Sequence, residues 1–246
     1  MDAIHFNHVA ALLIQEGKYK KASLTLRQGL KSLAKSFKLT STHRTVAFAL
    51  NLHLAPGRSA SRGSQDKRDG QCKAKLVIHT CQTPDITAAE LAHCPVSLFS
   101  IFNRIFVISI VENDEETKLV EVHSEAIVAV ILFNLGLTLH HQAVKTSSSH
   151  FWGQSLKFYV AALHALKESS IQDHLARLLS MAIANNMGHI YSNLFDERKT
   201  CECRELLKSL LSSQLTLNGD WKNELDFFFL AAFYVGAVHT AHSPAA

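Results

Sequence analysis

Residues 3–15 set Phe6, Val9, Ala10, Leu13 and Ile14 at intervals of three and four, and residues 19–34 do the same with Tyr19, Ala22, Leu26, Gly29, Leu30 and Leu33. Side chains so spaced share one face of a helix. The pattern therefore predicts two amphipathic helices, and Glu16-Gly17-Lys18 between them predicts a reversal, because Gly17 can take the left-handed conformation that ends a helix. A second pair is predicted over residues 123–168, with Leu132, Leu135, Gly136 and Leu139 in the first helix and Leu156, Tyr159, Ala162 and Leu163 in the second. Lys145–Ser149 stretches the turn between them. A third pair spans residues 172–214: Leu175, Leu179, Ile183, Met187, Gly188 and Tyr191, a break near Asn193–Asp196, then Leu206, Leu207, Leu210 and Leu211. Trp221–Ala237 reads as a closing helix that covers the exposed end.

Residues 40–112 break this rhythm. Val46, Phe48, Leu50, Leu52 and Leu54 alternate with Ala47, Ala49, Asn51 and His53, the two-residue period of a strand with one buried face. Leu76–Ile78 and Ile105–Val111 are rich in β-branched residues and suit strands that pair with it, although the second also suits the start of a helix. Between them Pro56–Gln71 is polar, rich in Ser, Gly and Arg, and aperiodic. Such a stretch cannot bury enough to offset its ordering entropy, so residues 56–71 are expected to be a disordered excursion.

Phe6, Val9, Ala10, Leu13, Gly17, Tyr19, Ala22, Leu26 and Gly29 fall at the large and small positions of a tetratricopeptide repeat, which residues 1–39 resemble. In that motif small residues let two helix backbones approach while large ones fill the gaps around the crossing. The second and third pairs resemble the same unit, with Gly136 and Gly188 at the close-contact position. Those two glycines stand 52 residues apart, against a family period of about 34, and Thr200 replaces an expected Ala. Residues 101–240, with Phe102-Asn103-Arg104, Leu132-Phe133-Asn134-Leu135-Gly136 and Asn185-Asn186-Met187-Gly188-His189-Ile190-Tyr191, also look similar to an uncharacterised repeat family of diatoms that offers no activity to carry over. The resemblance implies a mainly α fold: a short tetratricopeptide-like stack of hairpins in a superhelix, 1–39 and 113–246, with a strand-containing, partly disordered insertion, 40–112, between its first and second units.

Composition narrows the function classes. The 246 residues are 47% hydrophobic and only 19% charged, which excludes wholesale disorder. The net charge of +4 conceals an imbalance: residues 1–75 carry fourteen Lys or Arg against four Asp or Glu, and the remainder eleven against seventeen. Clustered basic residues recruit phosphates by releasing counterions, but here they are dispersed without interleaved aromatics, and nucleic acid is not the expected partner. Five cysteines form no secreted disulfide framework. The amino terminus has no secretory pattern, and Ala126–Leu139 and Phe227–Val238 are shorter than a spanning helix. A cytoplasmic or nuclear protein without a membrane segment is expected.

Candidate chemistry is sparse. His79, Cys81, His93 and Cys94 are zinc-ligand types, but one spaced pair followed by two adjacent residues matches no common structural site. Cys201 and Cys203 would point about 200° apart on a helix, which does not suit a redox pair. His140, His141 and His150 lack a nucleophile or carboxylate at an informative spacing. No catalysis, metal or cofactor is expected. Asn134 and Asn186 differ from these, because each lies two residues before its unit's close-contact glycine. In tetratricopeptide domains that hold a peptide terminus, the resemblance places an asparagine here on the concave groove, where a side-chain amide both donates and accepts. Asparagine at this place also bridges neighbouring helices. Asn134, Asn186, Asn185 and His140 are the candidate groove residues, and the expected function is a non-catalytic module that binds a peptide or partner helix, or else a structural subunit of a larger assembly.

Overall fold

A computed structural model describes residues 2–36, 74–83, 99–112, 124–168, 174–212 and 225–233. The expected strand at 46–54, the excursion at 56–71, and Cys72, His93 and Cys94 lie outside them. Within them the chain is mainly helical with a small two-stranded sheet.

Helix α1 (Asp2–Gln15) and helix α2 (Tyr19–Ser36) form the first hairpin. Gly17 has φ +70°, and Lys18 N–H reaches back to the Leu13 carbonyl at 2.8 Å while Gly17 N–H bonds that of Ile14 at 2.9 Å. This is the paired closure of a helix that ends on a left-handed residue. Gly29 completes the pair, since a Cβ built on it would stand 3.1 Å from that of Phe6.

Strands β1 (Ala74–Gln82) and β2 (Arg104–Glu112) run antiparallel, with Ile78 opposite Ile108, Thr80 opposite Phe106 and Gln82 opposite Arg104. The two β-branched stretches thus pair with each other. The run from Ile105 is strand, not helix, because β-branched side chains lose less freedom on a pleated surface than against a helical turn.

Helix α3 (Ser124–Thr146) and helix α4 (Ser149–Glu168) form the second hairpin. The stretched turn expected over Lys145–Ser149 shrinks to two residues, because α3 continues through Lys145 and Thr146; Ser147, at φ +50°, reverses the chain. Much of the extra length between Gly136 and Gly188 therefore goes into longer helices. By length and hydropathy Glu125–Thr146 could cross a membrane, which the shorter apolar run did not suggest, yet 94% of its most apolar window is buried inside the fold. It packs against α4 and α2 as the central core helix.

Helix α5 (His174–Asn193) and helix α6 (Glu197–Ser212) form the third hairpin, broken where the pattern placed it. Asp196 caps α6: its carboxylate accepts the Lys199 N–H at 3.1 Å. Helix α7, residues 225–233, is the described part of the closing helix, and its Phe228 stacks on Phe102 at 5.0 Å. One apolar core runs from Ala3 through α3 to Ala232.

Candidate functional site

The segment that leads into β2 runs extended along the first helices of the hairpins, and its backbone is held there by side-chain amides. Phe106 donates its N–H to Asn134 Oδ1 at 3.1 Å. Asn134 Nδ2 donates back to the Phe106 carbonyl at 2.7 Å, and Asn7 Nδ2 on α1 donates to the same carbonyl at 3.1 Å. The two asparagines are joined by Asn134 Nδ2 to Asn7 Oδ1 at 2.8 Å. Four residues earlier the arrangement repeats, with the Phe102 N–H 2.7 Å from Asn186 Oδ1 and Asn186 Nδ2 3.3 Å from the Phe102 carbonyl. Asn185 Nδ2 donates to the Ser100 carbonyl at 2.6 Å.

An amide can do this because its carbonyl accepts while its NH2 donates twice, as the exposed edge of a strand would. The partner strand lies on the other side: Thr83 N–H bonds the Asn103 carbonyl at 3.2 Å. The groups of Phe102 and Phe106 that point away from β1 are thus satisfied at buried residues, where leaving them unpaired would cost about 1–3 kcal/mol each.

Close approach of the segment to α5 depends on Gly188, and that of α4 to α3 on Gly136. A Cβ on Gly188 would meet the Phe99 ring at 2.7 Å, and one on Gly136 the Tyr159 ring at 2.8 Å. Ser155 Oγ donates to the Gly136 carbonyl at 2.8 Å in the same crossing. Phe106 lies edge-on to Phe133 at 5.1 Å, which in turn tilts against Tyr159.

Behind the clamp runs a buried polar chain. Asn186 Nδ2 donates to the Tyr159 hydroxyl at 3.1 Å, the hydroxyl is 3.3 Å from His140 Nδ1, and His140 Nε2 is 3.0 Å from His189 Nδ1. A consistent proton arrangement has Tyr159 donating to His140 Nδ1 and His140 Nε2–H donating to His189 Nδ1. Burial, then the proximity of His189 and His141, hold His140 well below the usual imidazole range. Burial alone takes His189 down to about 4, and burial pushes the Tyr159 phenol up. Both rings are neutral at pH 7.

All four candidate groove residues are buried, and their partners are the chain's own groups. The structure brings Asn134, Asn186 and Asn185 onto one extended segment and joins His140 to it through Tyr159. Asn7 was not found from the sequence; its only signal is a lone amide among Ala3, Ala10, Ala11 and Ile14 on the buried face of α1. The amides join helices as well: Asn134 links α3 to α1 and Asn186 links α5 to α4. His79 is exposed and Cys81 half-buried on β1, while His150 is exposed beside Gln154. Cys201 is exposed and Cys203 buried, its thiol pushed up to about 12 by burial and by the nearby carboxylates of Glu202 and Asp196. Among the described residues no three His, Cys, Asp or Glu converge on a point that could hold a metal. No protein-family model matches the chain, and no curated protein or solved structure shows significant similarity to it.

Proposed function

We propose that the protein is a non-catalytic interaction module of tetratricopeptide-like hairpins whose first helices read an extended backbone, and that its own residues 99–102 occupy the place of a partner peptide. One observation carries this reading: Asn186 engages both the N–H and the carbonyl of Phe102 ahead of the strand ladder. Recognition of that kind depends on the backbone and accepts another extended chain of suitable side chains.

The two ends of the segment differ in how firmly they are held. The Phe106 end is paired with β1 and gripped by asparagines of both α1 and α3. Releasing Ile105, Phe106 and Ile108, all fully buried, would expose apolar surface worth about 1.5–3 kcal/mol for each side chain, approaching the stability of a whole domain. The Phe99–Phe102 end is equally buried, but it lies outside the paired strand and is held by α5 and α7 alone. The missing ladder, not lesser burial, makes this the end that a partner replaces.

The same burial favours the second reading, a structural subunit in which the segment is permanent. A fluorescein-labelled peptide copying Phe99–Ile105, titrated with the full chain and read by anisotropy, separates the two. Saturable binding that a scrambled peptide lacks and that Asn186→Ala weakens supports the module. Absence of binding up to millimolar protein, with the fold intact, leaves the structural reading.

A further inference from the structure

We infer that the His140–His189 pair is a proton-sensitive latch on the Phe99–Phe102 end, so that acidification releases that end of the segment while the Phe106 end stays in place. The inference rests on the reading of that end as exchangeable.

The geometry supplies a continuous connection. From His189 on α5 the chain passes to His140 on α3, to Tyr159 on α4, to Asn186 on α5 and to the peptide of Phe102. Every side chain in it is buried. The shared Nε2···Nδ1 contact of 3.0 Å works only while one of the two nitrogens lacks a proton. A second proton sets two N–H groups and two positive rings against each other. Even a first proton on His140 turns Nδ1 into a donor, and the Tyr159 hydroxyl, already accepting from Asn186, must then accept twice and give up its present bond.

Among the described residues no carboxylate bears on His140. The charges that act on His140 are those of His189 and His141, both of its own kind. From α2, Tyr19 stacks on His141 at 5.0 Å, and the Lys145 ammonium sits 5.0 Å above Tyr19. Trp152 from α4 closes edge-on over His140 at 5.2 Å, and Asn193, one turn beyond His189, is neutral. A buried imidazolium among such neighbours is relieved only by movement that admits water.

The element that can shift is the α5–α6 hairpin as a unit. α5 packs most closely on α6, less on α4 and only sparsely on α3, whereas α3 is gripped by both α2 and α4. A small outward shift of α5 carries His189, Asn185, Asn186 and Gly188 together, and so frees Ser100, Phe102 and the Phe99 ring at once. Asn134 and Asn7 lie on α3 and α1 and keep Phe106. The relay therefore converts proton uptake into a local opening rather than into general unfolding.

Amide hydrogen exchange of the full chain, with imidazole titration followed by NMR on the same sample, tests this. Between pH 7.5 and 5, after correction for the intrinsic exchange rate, protection of the Phe102 amide should fall at least about tenfold relative to that of Phe106, since a ring that gains a proton only in the open form favours opening by such a factor. The double variant His140→Gln/His189→Asn keeps hydrogen-bonding groups but cannot titrate, and its ratio should stay flat. A ratio that stays flat in the wild type overturns the latch, as does a joint loss of protection at both amides. The wild-type measurement decides the matter even if the double variant does not fold. Peptide binding at pH 7.5 is read separately, so a Phe102-selective opening without any peptide binding would uphold the latch and remove only the partner.

Discussion

Asn134 and Asn186 stand 52 residues apart in the chain, yet the peptides they hold, those of Phe106 and Phe102, are four residues apart on one extended segment. Each sits two residues before a glycine whose missing side chain makes room for an aromatic ring. The two hairpins thus present the same amide to successive stretches of a single segment, while the gap beside it takes Phe99 of that segment at Gly188 and Tyr159 of the hairpin's own second helix at Gly136.

The Asn7–Asn134 pair makes a coupled site. Either alanine substitution strands a buried group and should lower stability by about 1–3 kcal/mol. Because the two amides share the Phe106 carbonyl and bond each other, the double variant should cost less than the sum, with a coupling of about 0.5–3 kcal/mol. Denaturant melts of the four proteins check this, and strict additivity would show that the shared contact contributes nothing.

The three glycines of the second and third hairpins should respond in different ways to alanine. Gly136→Ala drives a methyl into the Tyr159 ring, which its bonds to Asn186 and His140 hold in place, and should cost about 1–3 kcal/mol. Gly188→Ala strikes the Phe99 ring, at the end of the segment that can leave, so it should lower Phe102 protection more than it lowers the melting temperature. Gly153→Ala meets nothing within 4 Å and should stabilise α4 by up to about 1 kcal/mol.

Phe195 ends α5 at φ +58° with its side chain 77% exposed. The position is one that glycine normally fills, and a side chain there costs about 1–2 kcal/mol. Phe195→Gly should raise the melting temperature by a few degrees, the gain reduced by glycine's larger unfolded-state entropy. A lower melting temperature would mean that the ring makes contacts that outweigh the strain.

Global stability should follow the histidines. With folded values below the ordinary imidazole value near 6.5, the unfolded chain binds more protons between there and about 4, where His189 titrates. Stability is then full above pH 6.5 and falls as the pH drops through that window. His189 alone accounts for a loss of about 2–3 kcal/mol by pH 4.5. Urea titrations at pH 7.5 and 4.5 measure it, and removal of both histidines should flatten the slope.

The hairpins were legible because their signal is local. The 3.6-residue period of Tyr19, Ala22, Leu26 and Leu30, and a glycine able to take positive φ, act within a few turns. The strand at Ile105–Val111 was legible in part, through its β-branched residues, but Phe99, Phe102 and Phe106 fall at intervals of three and four that also suit a helix. What decided their conformation lies 28 to 99 residues away, on Asn134, Asn186 and Asn7. The pair Asn134 and Asn186 stood out only because each preceded a glycine. Their ligand, the chain itself, left no mark in any window of sequence. Asn7 had no glycine beside it to single it out.

The amides along β2 also bear on how the protein behaves in a crowd of its own copies. A β-strand bordered on one side only normally offers a row of free N–H and carbonyl groups on which a neighbouring molecule's strand can grow. Among the described residues β2 has a strand on one side only, and on the other Phe106, with Phe102 just before the strand, spends those groups on asparagines rooted in helices, which cannot propagate a ladder because each amide serves one residue and ends there. At those positions an added strand finds its bonds already taken for as long as α1, α3 and α5 stay in place.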